Sequence, residues 1–291
     1  MTSEKIIDIL KNGKIHLSCE LFPPKQGAEL QNSLEIVNKI AASKPSYMSV
    51  TYGAGGSTVG YSAALAKKVQ DNGMPALAHL TCVKADEAKL AEVLGQLHGF
   101  GVKNILALRG DIPADMQGEE IGSFAHASEL MRFVKQQGDF CVGGAAYPEG
   151  HPESGSLEKD IENTKYKVDA GVDFLVTQMF FDNTILYNYM FRLLRAGINV
   201  PVVPGIMPVT NAKQIIRICQ LSGTKLPSQF RAMVEKFADK PEALKQAGIA
   251  YATGQIIDLI ANGFDNVHIY TMNKPEIFAG IMDNLGEIVD K

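Results

Sequence analysis

The sequence predicts a single-domain α/β fold, the (β/α)8 or TIM barrel, because eight apolar runs alternate with segments of helical periodicity. Most of these runs end in polar side chains, and the carboxyl ends of the strands form the face of such a barrel that carries the active site. Residues far apart in the chain are thereby predicted to share one pocket. The eight predicted strands are Ile15–Leu21, Ser46–Thr51, Ala76–Thr81, Asn104–Leu108, Cys141–Ala146, Phe174–Gln178, Val200–Ile206 and Val267–Thr271.

Between the predicted strands, apolar residues recur at helical spacing. An additional helical segment at about residues 225–240 precedes a long helix, Pro241–Ala261, which we expect to join the outer ring. We expect residues 1–291 to form one catalytic barrel domain with no regulatory domain. An open doubly wound sheet is disfavoured because Phe22-Pro23-Pro24, rather than a glycine-rich turn, follows the first strand. The other predicted helices are Glu29–Ala42, Tyr61–Asn72, Asp86–Gly99, Phe124–Gln137, Leu157–Ala170, Asn183–Ala196, Asn211–Leu221 and Pro275–Val289.

The composition of the chain disfavours several classes of protein. Its 28 Lys and Arg residues stand against 32 Asp and Glu, a formal net charge of −4 without a basic block, so we expect no nucleic-acid partner. The N-terminal segment lacks the apolar centre of a signal peptide, and no apolar run is long enough to span a membrane. We therefore expect a cytoplasmic protein without a membrane partner. The four cysteines form no C-x-x-C pair, which favours reduced thiols over disulfides or structural zinc.

Glu20 is the first candidate catalytic residue. In the first strand, Ser18 and Glu20 alternate with Leu17 and Cys19, so one set faces the helices and the other faces the barrel lumen. A lumen is normally packed with branched apolar side chains, and we expect a carboxyl group placed there to have a raised pKa. Such a group suits a general acid. The alternative is a structural carboxylate paired with an arginine.

Polar residues also follow the third and fourth strands. Arg109, Gly110 and Asp111 end the fourth strand, where the glycine would let a ligand approach the backbone closely. The alternative for this tripeptide is a salt-bridged turn. His79, near the end of the third strand, is either a ligand-binding residue or an internally hydrogen-bonded one. Glu20, His79 and Asp111 make only a weak metal triad because no second histidine stands at metal-ligand spacing, and we expect no metal.

A third group of candidates follows the fifth strand. Tyr147 to Glu153 form a rigid polar loop that contains His151, and Asp160, Asn163 and Lys167 recur downstream on one helical face. Together with His151, this face could hold a diphosphate and a ribose. A solvated helix face is the alternative.

Gln178 and residues 53–58 complete the set. Gln178 ends the sixth strand and offers both a donor and an acceptor, which suits the edge of an amide-like heterocycle. Residues 53–58, Gly-Ala-Gly-Gly-Ser-Thr, open the second helix, where backbone N–H groups could bind an anion. This segment lacks the full dinucleotide fingerprint. No lysine ends the fifth to seventh strands, which disfavours Schiff-base aldolase chemistry.

Taken together and in order, these motifs resemble the methylenetetrahydrofolate reductase family, in its short bacterial form, over nearly the whole chain. The segments that carry the resemblance are Glu20-Leu-Phe-Pro-Pro24, Ser49-Val-Thr-Tyr-Gly-Ala54, His79-Leu-Thr81, Leu108-Arg-Gly-Asp111, Ala146-Tyr-Pro-Glu149 with His151-Pro-Glu153, Lys167-Val-Asp-Ala-Gly171, Thr177-Gln-Met-Phe-Phe-Asp182, Pro204-Gly-Ile-Met-Pro208 and Tyr270-Thr-Met-Asn273.

The resemblance implies a flavoprotein oxidoreductase of one-carbon metabolism and methionine biosynthesis. It would carry FAD and reduce 5,10-methylenetetrahydrofolate to 5-methyltetrahydrofolate, with electrons from NAD(P)H in a ping-pong scheme or from a partner subunit. We also expect a homo-oligomer. By match to the family, Glu20 is the acid that protonates folate N10, and Asp111 is a carboxylate near the pterin and the flavin.

The resemblance also implies two sets of binding residues. The substrate-binding set is Glu20, Asp111, Gln178, Gln214 and Lys274. The FAD-binding set is Thr51, Ala54, His79, Arg109, Gly110, Asp111, Tyr147, His151, Asp160, Asn163 and Lys167.

Two positions depart from the pattern of the family. Ile218 stands where some members have an aromatic residue that packs on the substrate, and Lys274 stands where others have arginine. The first bears on substrate stacking, and the second on affinity for the folate tail or the nicotinamide.

The residues alone leave two other functions open. One is a metal-dependent lyase or aldolase that uses Glu20, His79 and Asp111. The other is a pterin-binding module that passes a methyl group to a corrinoid partner. A flavin spectrum would separate the reductase from both of them.

Overall fold

The computed structural model describes residues 4–53, 59–112 and 122–289, which form nine parallel strands and their surrounding helices. Ala54 and most of the segment 53–58 therefore lie outside the described residues. The strands are β1 (His16–Leu21), β2 (Met48–Val50), β3 (Ala76–Thr81), β4 (Asn104–Leu108), β5 (Cys141–Ala146), β6 (Phe174–Thr177), β7 (Val202–Val203), β8 (Gly205–Ile206) and β9 (Asn266–Ile269).

The strands follow one another around a barrel in chain order. Each strand from β1 to β6 pairs in parallel with the next, and β1 also pairs with β9, which in turn pairs with β8. Because β7 and β8 are the two halves of one strand, the ring has eight places and the predicted (β/α)8 barrel is confirmed. All the carboxyl ends consequently meet at one face.

The seventh strand is interrupted at Pro204, whereas the sequence predicts one unbroken run. β7 pairs with β6 and β8 pairs with β9, since proline has no N–H to donate to a ladder. The Gly205 N–H donates to Thr177 Oγ1 at 2.8 Å. A Cβ at Gly205 would overlap the Thr177 carbonyl oxygen and lie 2.7 Å from the Tyr270 hydroxyl oxygen, so only glycine fits there.

Eight of the helices form the outer ring. α10 occupies the seventh place because it contacts both α7 and α11, while α8 and α9 lie in the connection between β8 and α10. α9 falls within residues 225–240, where the sequence predicts an added helix. The helices are α1 (Ile6–Leu10), α2 (Leu30–Ala41), α3 (Val59–Asp71), α4 (Glu87–Gly99), α5 (Ala127–Gln136), α6 (Leu157–Asp169), α7 (Asn183–Arg195), α8 (Ala212–Ser222), α9 (Ser228–Lys236), α10 (Pro241–Ala261) and α11 (Pro275–Asn284).

α1 closes the amino-terminal end of the lumen. Its Ile6 and Leu10 pack with Tyr47, Leu77 and other buried residues of the strands. The Ile6 N–H donates to Asn104 Oδ1 at 2.8 Å, which satisfies a helix N–H that has no partner within the helix. The apolar floor leaves the opposite, carboxyl-terminal end of the barrel as the open one. Within the described residues, we find no helix that is both long and apolar enough to cross a membrane.

Candidate active site

Two adjoining cavities, which we term the inner pocket and the outer groove, lie at the carboxyl ends of the strands. The inner pocket, of about 260 Å³, enters the barrel mouth, and the outer groove, of about 690 Å³, runs between the ends of β4 and β5, the first turn of α5 and one face of α6. Leu108, Ala145 and Tyr147 line both cavities, so the two adjoin. The inner pocket is otherwise lined by Glu20, Thr51, Leu77, His79, Leu106, Val176, Thr177, Gln178, Met207, His268 and Tyr270.

Glu20 projects into the inner pocket, as the strand alternation predicts. Its side chain is only 11% exposed, and burial raises the pKa of this carboxyl to about 8. The backbone at Glu20 is held in place because its main-chain carbonyl oxygen accepts a hydrogen bond from the buried Thr271 hydroxyl at 3.3 Å. Glu20 therefore carries a proton at neutral pH and can donate it to a ligand in the pocket.

His79 is the nearest titratable neighbour of Glu20. Its Nε2 lies 3.7 Å from Glu20 Oε2, which is too long for a hydrogen bond. Burial lowers the pKa of His79 to about 3, so the contact joins two neutral groups rather than an ion pair. His79 Nε2 and Thr81 Oγ1 are both buried without a hydrogen-bond partner among the described residues. Such atoms are available to a polar ligand.

A buried polar layer lies beneath this pair. His268 Nδ1 is 2.8 Å from Ser18 Oγ, and its Nε2 is 3.1 Å from Ser49 Oγ. Burial lowers the pKa of His268 to about 3, so this imidazole is neutral too. The neighbouring Tyr270 hydroxyl donates to the Thr177 carbonyl at 2.6 Å. Among the described residues that line the inner pocket, none is a cation that could pair with Glu20.

Gln178 lines the opposite wall of the inner pocket. Its Oε1 accepts the Met179 N–H at 2.9 Å, which fixes the side chain and leaves the amide nitrogen to face a ligand. Gln214 and Lys274 are absent from the described lining of both cavities. Lys274 Nζ donates to Thr210 Oγ1 at 2.7 Å, so the structure ties it to the β8–α8 connection instead. Ile218 packs in the apolar cluster beneath α8 and α9.

In the outer groove, Arg109 forms a bidentate ion pair. Its two terminal nitrogens donate to the Glu153 carboxylate at 2.6 and 2.8 Å, and its Nε donates to the Gly110 carbonyl at 3.2 Å. Gly110 has a φ of +88°, and a Cβ there would lie 3.0 Å from Thr81 Cβ. Asp111 is exposed at the groove, whereas Glu20 and His79 line the inner pocket. Among the described residues, no three His, Cys, Asp or Glu side chains lie close enough together to hold a metal ion.

The face of α6 forms one wall of the outer groove. Lys167 is half-buried, and its Nζ donates to the Ala145 carbonyl at 2.7 Å and lies 5.7 Å from the centre of the Tyr147 ring. Burial lowers the pKa of this lysine, while Asp160 opposes the shift. Asp160 is buried; its Oδ1 accepts the Ser154 hydroxyl at 2.9 Å, and its Oδ2 has no partner among the described residues. This face is therefore not a simple solvated one.

The sequence-predicted residues divide between the two cavities. Glu20, Thr51, His79 and Gln178 line the inner pocket, and Tyr147 lines both cavities. The residues in the outer groove are Arg109, Gly110, Asp111, His151, Asp160, Asn163 and Lys167.

Known proteins share both the sequence pattern and the fold of this chain. The family model described as methylenetetrahydrofolate reductase matches residues 5–286. The chain belongs to the methylenetetrahydrofolate reductase family. The 5,10-methylenetetrahydrofolate reductase of Escherichia coli is 34% identical over 275 residues, which cover 94% of this chain and 92% of that protein.

Relatives outside bacteria are longer. Methylenetetrahydrofolate reductase (NADH) 1 of Arabidopsis thaliana is 35% identical over 299 residues, and the chain spans about half the length of this plant relative. Among solved structures, an uncharacterized protein from Clostridium thermocellum that binds two copies of 5-methyl-5,6,7,8-tetrahydrofolic acid shares the fold. Its TM-score is 0.67 at 14% identity, with 97% of this chain and 99% of that chain covered.

The structure adds residues that sequence reasoning on this family member missed. Glu153 belongs to the predicted polar loop but had no role assigned, and Ser154 belongs to no predicted motif; Glu153 pairs with Arg109, and Ser154 bonds with Asp160 and Asn163. His268 is the clearest omission, since it lies in register with Ser18 in the neighbouring strand, and the same alternation that places Glu20 in the lumen would have placed His268 there. Further described lining residues of the outer groove are Tyr52, Val83, His126, Ala127, Ser128, Lys159 and Tyr166.

Proposed function

We propose that this protein reduces 5,10-methylenetetrahydrofolate to 5-methyltetrahydrofolate, with bound FAD and with NAD(P)H as the electron donor. The observation that carries the proposal is a buried carboxyl group, Glu20, whose pKa burial raises to about 8, in a pocket that adjoins a longer groove lined by charged side chains. Membership of the methylenetetrahydrofolate reductase family supports the same reaction.

The outer groove fits a flavin dinucleotide in its chemistry. Arg109 and Lys167 provide cationic donors for a diphosphate, and the unpartnered Asp160 Oδ2 can accept a hydroxyl of a ribose or a sugar alcohol. Gly110 and Thr81 line the outer groove, and His79 lines the inner pocket; Thr81 Oγ1 and His79 Nε2 have no hydrogen-bond partner among the described residues. When bound, FAD supplies the hydride chemistry, and the barrel supplies orientation.

Glu20 is proposed as the general acid. Protonation of folate N10 opens the five-membered ring of the substrate to a reactive iminium, and a carboxyl with a pKa of about 8 is ready to supply that proton at neutral pH. Asp111, at the groove, is proposed to stabilise the developing positive charge. The two neutral histidines, His79 and His268, add no positive charge that would draw the proton from Glu20.

Gln178 is proposed to bind the pterin. Its Oε1 is already used by Met179, so the amide N–H2 group is the part that meets a ring carbonyl or ring nitrogen. Gln214 and Lys274 are proposed to contact only the outer part of the substrate, because neither is among the described residues that line the pocket.

The test is to purify the protein, record its visible spectrum, and follow each half-reaction without oxygen. We expect a bound flavin that NADH or NADPH bleaches and that methylenetetrahydrofolate reoxidises, with 5-methyltetrahydrofolate as product. A flavin that neither nicotinamide reduces would instead support electron supply by a partner subunit. A colourless protein that needs a metal would support a lyase, and methyl transfer to a corrinoid without redox change would support a transferase.

A further inference from the structure

The outer groove contains an internal competitor for an anionic ligand. Arg109 is a cation that the proposed function assigns to the cofactor diphosphate, yet both of its terminal nitrogens donate to Glu153. Two parallel hydrogen bonds between a guanidinium and a carboxylate have the same geometry that a phosphate group would adopt on the same arginine. Glu153 therefore occupies the donor pair that a phosphate would use.

The surroundings of the Arg109–Glu153 ion pair allow a ligand to displace the carboxylate from the arginine. The Glu153 side chain is 57% exposed, while the Arg109 side chain is 22% exposed and is fixed by its bond to the Gly110 carbonyl. Glu153 is the second residue of a 3₁₀ turn, Pro152–Ser154, that follows His151, and its N–H donates to His151 Nδ1 at 3.2 Å. The arginine is thus the fixed partner, and the carboxylate is the partner that can swing into solvent at low cost, because exposed ion pairs contribute little.

We propose that Glu153 acts as a displaceable counter-ion that tunes the affinity of the groove for a diphosphate-bearing ligand. This inference rests on the proposed function, in which that ligand is FAD. Glu153 neutralises the Arg109 guanidinium, and a diphosphate must displace the carboxylate to reach both nitrogens. Glu153 is a positioning residue that opposes binding, so its removal strengthens binding rather than weakening it.

The experiment compares flavin affinity among exposed-charge variants of the full chain. Glu153→Gln is expected to lower the Kd for FAD roughly threefold or more, in line with the worth of an exposed ion pair. Riboflavin, which has no phosphate, should bind both proteins equally. Glu158→Gln is the matched control because it removes the same charge five residues away, where the partner is Arg192 rather than a described residue of the groove.

A double-mutant cycle locates the effect. In an Arg109→Ala background, Glu153→Gln should leave the Kd for FAD unchanged, because the coupling runs through that guanidinium. An unchanged or weaker affinity of Glu153→Gln for FAD, or an equal gain for riboflavin, overturns the inference while leaving the proposed function intact. If the parent protein binds no FAD, both fail.

Discussion

The inner pocket and the outer groove share lining residues but differ in the charge of their side chains: those of the inner pocket are neutral, whereas the outer groove contains an ion pair. The inner pocket buries Glu20, His79 and His268 among its titratable side chains, and burial favours the neutral form of each of these three. The outer groove holds charges instead: Arg109 and Glu153 form an ion pair, and Lys167 and Asp160 lie on the same face of α6. We therefore propose the inner pocket for proton transfer and the outer groove for ligand anchoring.

This difference follows from exposure. A carboxyl group removed from water keeps its proton, because charging it there has a large free-energy cost. At the rim, water screens the charges, so ion pairs form at little cost and exchange easily. Substitutions in the two cavities should consequently fail in different ways.

The largest effect is expected at Glu20. Glu20→Gln should keep the flavin and its reduction by the nicotinamide, but the rate of folate reduction should fall at least ~10²-fold because the proton donor is lost. Stopped-flow spectroscopy of the two half-reactions measures both rates. Near-normal folate turnover in this variant would remove Glu20 from the mechanism.

Gln178→Ala should separate the two substrates that we propose for the inner pocket. Loss of a hydrogen bond to a buried polar ligand costs ~1–3 kcal/mol, which corresponds to a roughly 5- to 150-fold loss of folate affinity. Flavin reduction by the nicotinamide should change less, because a nicotinamide presents only a small carboxamide. An equal loss in both half-reactions would show that Gln178 orders the flavin or the pocket as a whole.

Lys167→Ala tests the outer groove. The variant loses a half-buried cation, and we expect flavin retention to weaken by roughly tenfold, the value of a hydrogen bond to a charged group. Raised salt should weaken retention further by screening the remaining charges of the groove. Lys165→Ala is the control, since this exposed lysine on the same helix pairs only with Asp169 at 3.7 Å among the described residues. Full flavin occupancy of Lys167→Ala at every salt concentration would contradict the assignment.

The remaining prediction concerns stability. Because burial raises the pKa of Glu20 to about 8, the folded protein holds this proton more tightly than the unfolded chain does. The stability linked to it is present at acid pH and is lost as the pH rises through about 8. Glu20→Gln cannot ionise, so its Tm relative to the parent should rise between about pH 5 and about pH 9. Glu162→Gln on the surface of α6 is the control. A pH-independent difference would contradict a buried, protonated Glu20.

Sequence patterns were sufficient for the barrel and for the position of Glu20 in the inner pocket. Alternation within β1 places Glu20 in the lumen, and the strand ends bring His79, Gln178 and Tyr147 to the inner pocket, because these signals are local and repeat with a period of two. The break at Pro204 also had a local signal, since a proline inside a strand removes a ladder hydrogen bond.

Pairings between distant segments could not be predicted in the same way. Arg109 and Glu153 are 44 residues apart, and their contact depends on how two loops meet above the barrel. Gln214 and Lys274 were assigned from the family resemblance alone, and the structure ties Lys274 to Thr210 rather than placing it among the described residues of the pocket. A residue type at a matching position thus carries less information than its three-dimensional neighbours do.

The divided seventh strand also affects how the ring can open. β7 and β8 contribute two residues each, so the barrel is closed there by the shortest ladders among its described strands. Local opening requires least free energy where few backbone hydrogen bonds must break. Amide hydrogens around Pro204 should therefore exchange with solvent before those of β3 and β4, and the barrel should open first beside the strand that leads into Gln178.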